Sequence, residues 1–259
     1  MMLRREFLLG SFGLFLPGYS YANKVLIIPG HDKKDLGTYR KDVGYEYKLT
    51  QQISNIVYQK LNGLEKVIAR QDDYIDEIKE FQKKNYSKLK DIVVSARNKF
   101  IKERGTKEIT LTIESAVDYY SIVAWAVENK FDCMVNVHVN DAIKKDKYKG
   151  FTLIISNKNK KSKESKLLAE SIYASLKTEF GPSNNPAETK GLMIEDKILM
   201  LGTKYLESPI PSVIVECGYI DQDYNGKKIN DLEIQNKYAV LIAKGIESYF
   251  FSNASQVTL

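Results

Sequence analysis

Short, almost wholly apolar runs alternate along this chain with stretches of helical period, and that alternation restricts the fold to a layered α/β architecture. Residues 24–29 form the first such run, and residues 46–62 follow as a helix with Leu49, Ile53, Ile56 and Val57 on one face. Residues 65–70 read as a second strand, 114–130 as a helix, and 132–138 and 150–156 as further strands. A helix over 163–180 stops at Gly181-Pro182, a strong terminator. Residues 212–217 form another very apolar strand, and a helix over 230–251 closes the chain. Strands this apolar are buried on both faces, as in parallel sheets. The expected fold is therefore α/β: one central, mostly parallel (mixed) twisted sheet, with helices on both faces.

One segment breaks the rhythm. Residues 71–108 are rich in Lys, Glu and Asp and read as one or two surface helices inserted after the second strand. A solvated excursion is the plainer reading, since long insertions are tolerated and charge runs are usually solvated faces. A lid or partner-docking element is the sharper one.

With 259 residues and 43% hydrophobic content, the chain can bury one substantial core. Its formal charge of +6 suits a solvated lysine-rich surface, or attraction to a polyanion such as an anionic membrane face or cell wall. The lysines are spread rather than striped, and no nucleic-acid motif accompanies them, so no nucleic-acid partner is expected. Residues 1–22 carry a basic start at Arg4-Arg5, an apolar stretch from Phe7 to Leu16, and a small-x-small end at Ser20-Tyr21-Ala22. They read as a secretory signal peptide, too short to remain as a membrane span, and Arg4-Arg5-Glu6-Phe7-Leu8 resembles a twin-arginine export signal. Export would permit a disulfide between the two cysteines, Cys133 and Cys217, although buried free thiols fit their strand positions equally well. No CxxC-type pair is present to suggest a cysteine metal site.

Several of the apolar runs deliver a polar side chain to a strand end. The chain has two histidines: His31 follows Ile28-Pro29-Gly30, and His138 ends Met134-Val135-Asn136-Val137. Imidazole is the commonest ligand of a catalytic metal. Glu46 lies fifteen residues after His31 across a loop with Gly37 and Gly44, so both side chains can converge at one strand end. It could equally be a first-turn acid favoured by the helix dipole. Glu216 follows Val213-Ile214-Val215, where an ionised carboxylate needs a compensating partner such as a metal, a reacting water or a lysine. Asn140 shares a strand face with Asn136 and either contacts a ligand or caps the turn.

Taken in order, Ile28-Pro29-Gly30-His31, Glu46, Val137-His138-Val139-Asn140 and Pro211-Ser212-Val213-Ile214-Val215-Glu216-Cys217-Gly218-Tyr219-Ile220 resemble the zinc-dependent N-acetylmuramoyl-L-alanine amidases of bacterial cell-wall turnover. Lys190-Gly191-Leu192 is similar to that family's segment before its final strand, and the likeness covers nearly all of 24–251. The resemblance implies a catalytic domain over 23–252 and a tail over 253–259. It implies one zinc ion on His31, Glu46 and His138, with Glu216 as the general base that activates the zinc-bound water. The bond cleaved would join N-acetylmuramic acid to L-alanine of the stem peptide. Peptidoglycan or muropeptides would be the substrate, the periplasm or cell wall the location, and a regulatory protein a further partner. Two imidazoles and one carboxylate leave a fourth position open, as in catalytic rather than structural zinc sites. Arg70 falls at one of the family's arginine positions and joins Asn140 as a substrate-binding candidate. The family's other arginine has no counterpart in Ser121-Ile122-Val123-Ala124-Trp125-Ala126, and residues 150–165 leave no room for the inserted autoinhibitory helix of some relatives. A zinc exopeptidase or carboxypeptidase, or a non-catalytic wall-binding protein, are the competing readings.

Overall fold

A computed structural model describes residues 23–70, 73–105, 111–142 and 147–254. The signal-peptide expectation for residues 1–22 lies outside these, as do the ends of the expected tail and insertion. Strand β1 (Lys24–Pro29) leads through a small hairpin, β2 (Tyr39–Arg40) and β3 (Gly44–Tyr45), into helix α1 (Glu46–Lys60) and strand β4 (Glu65–Ile68). Then come α2 (Asp76–Arg104), α3 (Ile113–Glu128), β5 (Cys133–Asn140), β6 (Thr152–Ile155) and α4 (Ser162–Leu176). A short 3-10 turn, Pro186–Gly191, precedes β7 (Leu192–Ile194), and β8 (Ser212–Tyr219) and α5 (Leu232–Ala254) end the described chain.

The main sheet runs β4-β1-β5-β8-β6-β7. The first four strands are parallel, and β6 turns antiparallel to β8 and carries β7 with it. This is the mixed, mostly parallel sheet expected from the apolar runs. Side chains alternate across it as strand geometry requires. Val25, Ile27, Cys133, Val135, Val137, Val213 and Val215 face α1, α4 and α5, while Leu26, Ile28 and Met134 face α2 and α3. Both faces are covered, which explains why the strands read as continuous apolar runs. Cys133 and Cys217 are buried free thiols at opposite ends of neighbouring strands, so no bridge joins them.

Three details go beyond the sequence reading. The insertion, read as one or two surface helices, is one helix of 29 residues, and most of its side chains face solvent. It carries an apolar stripe: Leu89, Val93 and Ala96 pack on Ala116 and Val117 of α3 and on Leu206. Its many lysines and acids obscured that stripe. The final helix runs past 251 to Ala254, into the expected tail. The hairpin β2–β3 went unread, because strands of two residues carry no periodic signal. Among the described residues, no helix is long and apolar enough to cross a membrane.

Candidate metal and catalytic site

Ligands in open α/β sheets bind outside the carboxyl ends of the strands, where the strand order reverses. Here that point lies between β1 and β5, since the chain steps from β1 to β4 on one side and takes β5 on the other. The carboxyl ends of β1, β5 and β8 bring His31, His138 and Glu216 together side by side. His138 and Glu216 are direct register partners.

The backbone at the end of β1 is tightly fixed. Gly30 donates its N–H to the Val137 carbonyl at 2.7 Å, and the Thr50 hydroxyl of α1 donates to the Gly30 carbonyl at 2.6 Å. A Cβ at position 30 would lie 2.5–2.7 Å from the His138 ring, so only glycine lets that imidazole sit against the strand. Gly37 has φ +64°, and a Cβ there would meet Glu46 Oε2 at 2.6 Å and His31 Cδ2 at 2.7 Å. Both glycines clear space for site side chains.

Glu46 opens α1 and is 5% exposed. Its carboxylate stands between the two imidazoles. His138 Nδ1 is 3.2 Å from Oε1, and His31 Nε2 is 3.3 Å from Oε2. Each oxygen also accepts a backbone N–H, Oε1 from Val139 at 3.2 Å and Oε2 from Thr38 at 3.1 Å. Burial pushes the Glu46 pKa up, but the hydrogen bond and charge of His138, then the charge of His31, outweigh it and hold the carboxyl below its ordinary value. One nitrogen from each histidine and one Glu46 oxygen lie within 4.8 Å of one another.

This donor set fits a divalent zinc. Imidazole nitrogens suit zinc, a carboxylate oxygen is a common third ligand, and three protein ligands leave a position open. Beside them, Glu216 Oε2 is buried with no hydrogen-bond partner. Burial first, then the charges of Glu46 and Glu188, push the Glu216 pKa well above its ordinary value. An unpartnered buried carboxylate oxygen is costly to keep for structure alone.

The model of the N-acetylmuramoyl-L-alanine amidase family (Amidase_3) matches residues 25–248. The chain belongs to that family. An uncharacterized cell wall amidase of Bacillus anthracis is 28% identical over 134 residues, which is 49% of this chain and only 23% of that relative. Among solved structures, Ami1 of Mycobacterium smegmatis aligns at a TM-score of 0.61 with 19% identity, covering 90% of this chain and 99% of that one. The CwlD amidase of Clostridioides difficile, solved in complex with the GerS lipoprotein, aligns at 0.60 with 20% identity, covering 89% and 99%. At such identities, these likenesses establish the amidase fold.

The remaining candidates occupy different places in this fold. Asn140 reaches the site's edge, but its side chain is engaged: Nδ2 donates to Glu188 at 3.0 Å, and Oδ1 accepts the Asp141 N–H at 2.8 Å. Arg70 does not enter the cleft as a free cation. It is 2% exposed, donates from Nε and Nη2 to the Pro29 carbonyl at 2.9 and 2.7 Å, and pairs through Nη1 with Asp32 at 3.3 Å. It thus pins the end of β1 just before His31. Arg70→Ala removes two donors from the Pro29 carbonyl and the ion partner of Asp32 Oδ2, and is expected to cost about 2–4 kcal/mol in urea unfolding.

Two acids escaped the sequence reading. Glu188, in the 3-10 turn, accepts hydrogen bonds from Tyr219 at 2.6 Å, Asn185 at 2.9 Å, Asn140 and Thr152. Burial raises its pKa, but hydrogen bonds led by those from Thr152 and Tyr219 outweigh it and lower the net value. Thr152 is the register partner of Glu216, so Glu188 borders the catalytic candidate. Asp35, four residues after His31, is the other. Neither position carries a pattern signal, and only the place of Glu188 two residues before Lys190 could have drawn notice.

Proposed function

We propose that this chain hydrolyses the amide bond between N-acetylmuramic acid and the L-alanine of the peptidoglycan stem peptide. One observation supports this most: a buried carboxylate touched by both histidines, beside a second glutamate whose inner oxygen has no partner. His31, Glu46 and His138 would hold one zinc ion. Zinc bound there supplies Lewis acidity toward a carbonyl oxygen and lowers the pKa of a water toward neutrality.

The chain's own residues do the rest. Glu46, fixed by two backbone N–H groups, orients both imidazoles from between them. Glu216 takes the proton of the attacking water on its unpartnered oxygen. It then gives the proton to the departing alanine nitrogen. Asn140, held by Glu188, borders the path on the β6 side and would line the substrate groove.

The substrate reading rests on family membership, and so does an exported location in the periplasm or cell wall. The signal-like residues 1–22 agree with it. A protein partner is a natural addition, since CwlD was solved with one.

Mass spectrometry of muropeptide digests tests the reaction. The expected products are free stem peptide and peptide-free glycan; release of single terminal amino acids instead would favour an exopeptidase. A strong chelator is expected to reduce hydrolysis by at least about 100-fold, with recovery on adding Zn²⁺. Full activity in the chelated protein would remove the metal from the proposal.

A further inference from the structure

We propose that Asp35, itself held by Tyr119 of α3, is a positioning residue that fixes the His31 ring for metal binding. The inference rests on the metal reading above. Metal-binding histidines generally give their second ring nitrogen to a carboxylate or carbonyl, which fixes tautomer and ring orientation. His31 presents Nε2 toward Glu46, and its buried Nδ1, which has no aligned hydrogen bond in this structure, lies 3.1 Å from Asp35 Oδ2, the one carboxylate oxygen among the described residues within ion-pair distance of it. His31 needs such a hold more than His138 does. His138 sits in a strand with its ring packed against Gly30, whereas His31 lies beyond the strand with φ +59°, a left-handed conformation that side chains seldom adopt.

Asp35 is well placed to act as that hold. Its backbone N–H donates to Asp32 Oδ1 at 2.9 Å, closing a tight acidic turn, and Asp32 is anchored in turn by Arg70. The Tyr119 hydroxyl donates to Asp35 Oδ2 at 3.2 Å. Burial first, then the Asp35 charge, push the Tyr119 pKa up to about 12, so the hydroxyl stays a donor at any physiological pH.

The same geometry gives the inserted helix a task. Gln82 of α2 donates to Asp118, the residue before Tyr119, and the apolar stripe of α2 packs along α3. The insertion braces the helix that carries Tyr119, and Tyr119 steadies Asp35 against His31. Asp35 acts through His31 and not on the reacting atoms.

Competition for Zn²⁺ against a chromophoric chelator provides the test, on wild type, Asp35→Ala, Asp35→Asn, Tyr119→Phe and the Asp35→Ala/Tyr119→Phe double variant. Thermal unfolding of the zinc-free proteins runs alongside. Asp35→Ala is expected to weaken zinc binding roughly 10- to 100-fold at unchanged stoichiometry. Asp35→Asn, whose amide oxygen can still accept from the imidazole, should recover part of that loss. Tyr119→Phe is expected to cost about fivefold alone, and nothing further once Asp35 is gone. A purely structural role would instead lower Tm and leave zinc affinity intact. Asp35→Ala and Asp35→Asn both binding zinc within twofold of wild type would overturn the inference, and additive losses in the double variant would remove Tyr119 from it. Wild type taking up no zinc would overturn the metal reading itself, and this inference with it.

Discussion

Glu216→Gln is expected to lower hydrolysis by roughly 10²–10⁴-fold while the protein keeps its full complement of zinc. Glutamine matches the shape of glutamate but cannot carry a proton from water to a leaving nitrogen. Glu216 is also outside the donor set formed by His31, Glu46 and His138, so the substitution leaves metal binding alone. Stability should not fall. The native carboxyl is pushed toward its neutral form by burial and two nearby negative charges, so its ionised form weakens the fold as pH rises above its unfolded pKa. A neutral amide removes that liability. The checks are the rate on a soluble muropeptide, metal analysis of the purified variant, and Tm at neutral pH. Undiminished turnover with zinc in place would end the assignment of Glu216.

Glu46→Ala should be more destructive, because one carboxylate serves three purposes. It removes a metal donor, and zinc affinity should fall by well over about 100-fold, beyond what losing an outer support costs. It also strips the acceptor from the Val139 and Thr38 N–H groups, one buried and one partly buried. The zinc-free protein should therefore lose about 2–4 kcal/mol in urea unfolding. Glu46→Gln separates these effects. Its amide oxygen can retain one of the two N–H contacts and part of the stability, while the loss of charge still weakens zinc. A Glu46→Ala protein that is as stable and as zinc-replete as wild type would contradict the arrangement drawn for this carboxylate.

Much of this architecture could be read from the residues. Val25 to Ile28, Cys133 to Val137 and Ser212 to Val215 announced strands covered on both sides, because few other structures bury so many consecutive apolar residues. Glu216 stood out for the same reason, as an acid at the end of such a run. What stayed hidden depended on folding distant segments together. The β6 strand runs antiparallel to β8 although β5, before it in the chain, runs parallel to β8, and no periodicity encodes that reversal. Glu188 gains its meaning from Thr152, Tyr219 and Asn140, each more than thirty residues away. Arg70 was legible as a marked arginine, yet its burial against Pro29 was not, since a strand-end cation looks alike in sequence whether it faces solvent or a carbonyl. The helical character of the second helix was legible, but its packed stripe of Leu89, Val93 and Ala96 was not, because polar residues outnumber the few that pack.

The separation of the two thiols carries a consequence for how this molecule can be made. Cys133 and Cys217 sit about 20 Å apart along the sheet, counting the register steps between them. Sulfur bridging within the chain would require tearing the sheet open. Its mature shape therefore owes nothing to oxidation, and a ribosome in glutathione-rich surroundings and an oxidant-rich compartment should yield the same finished molecule.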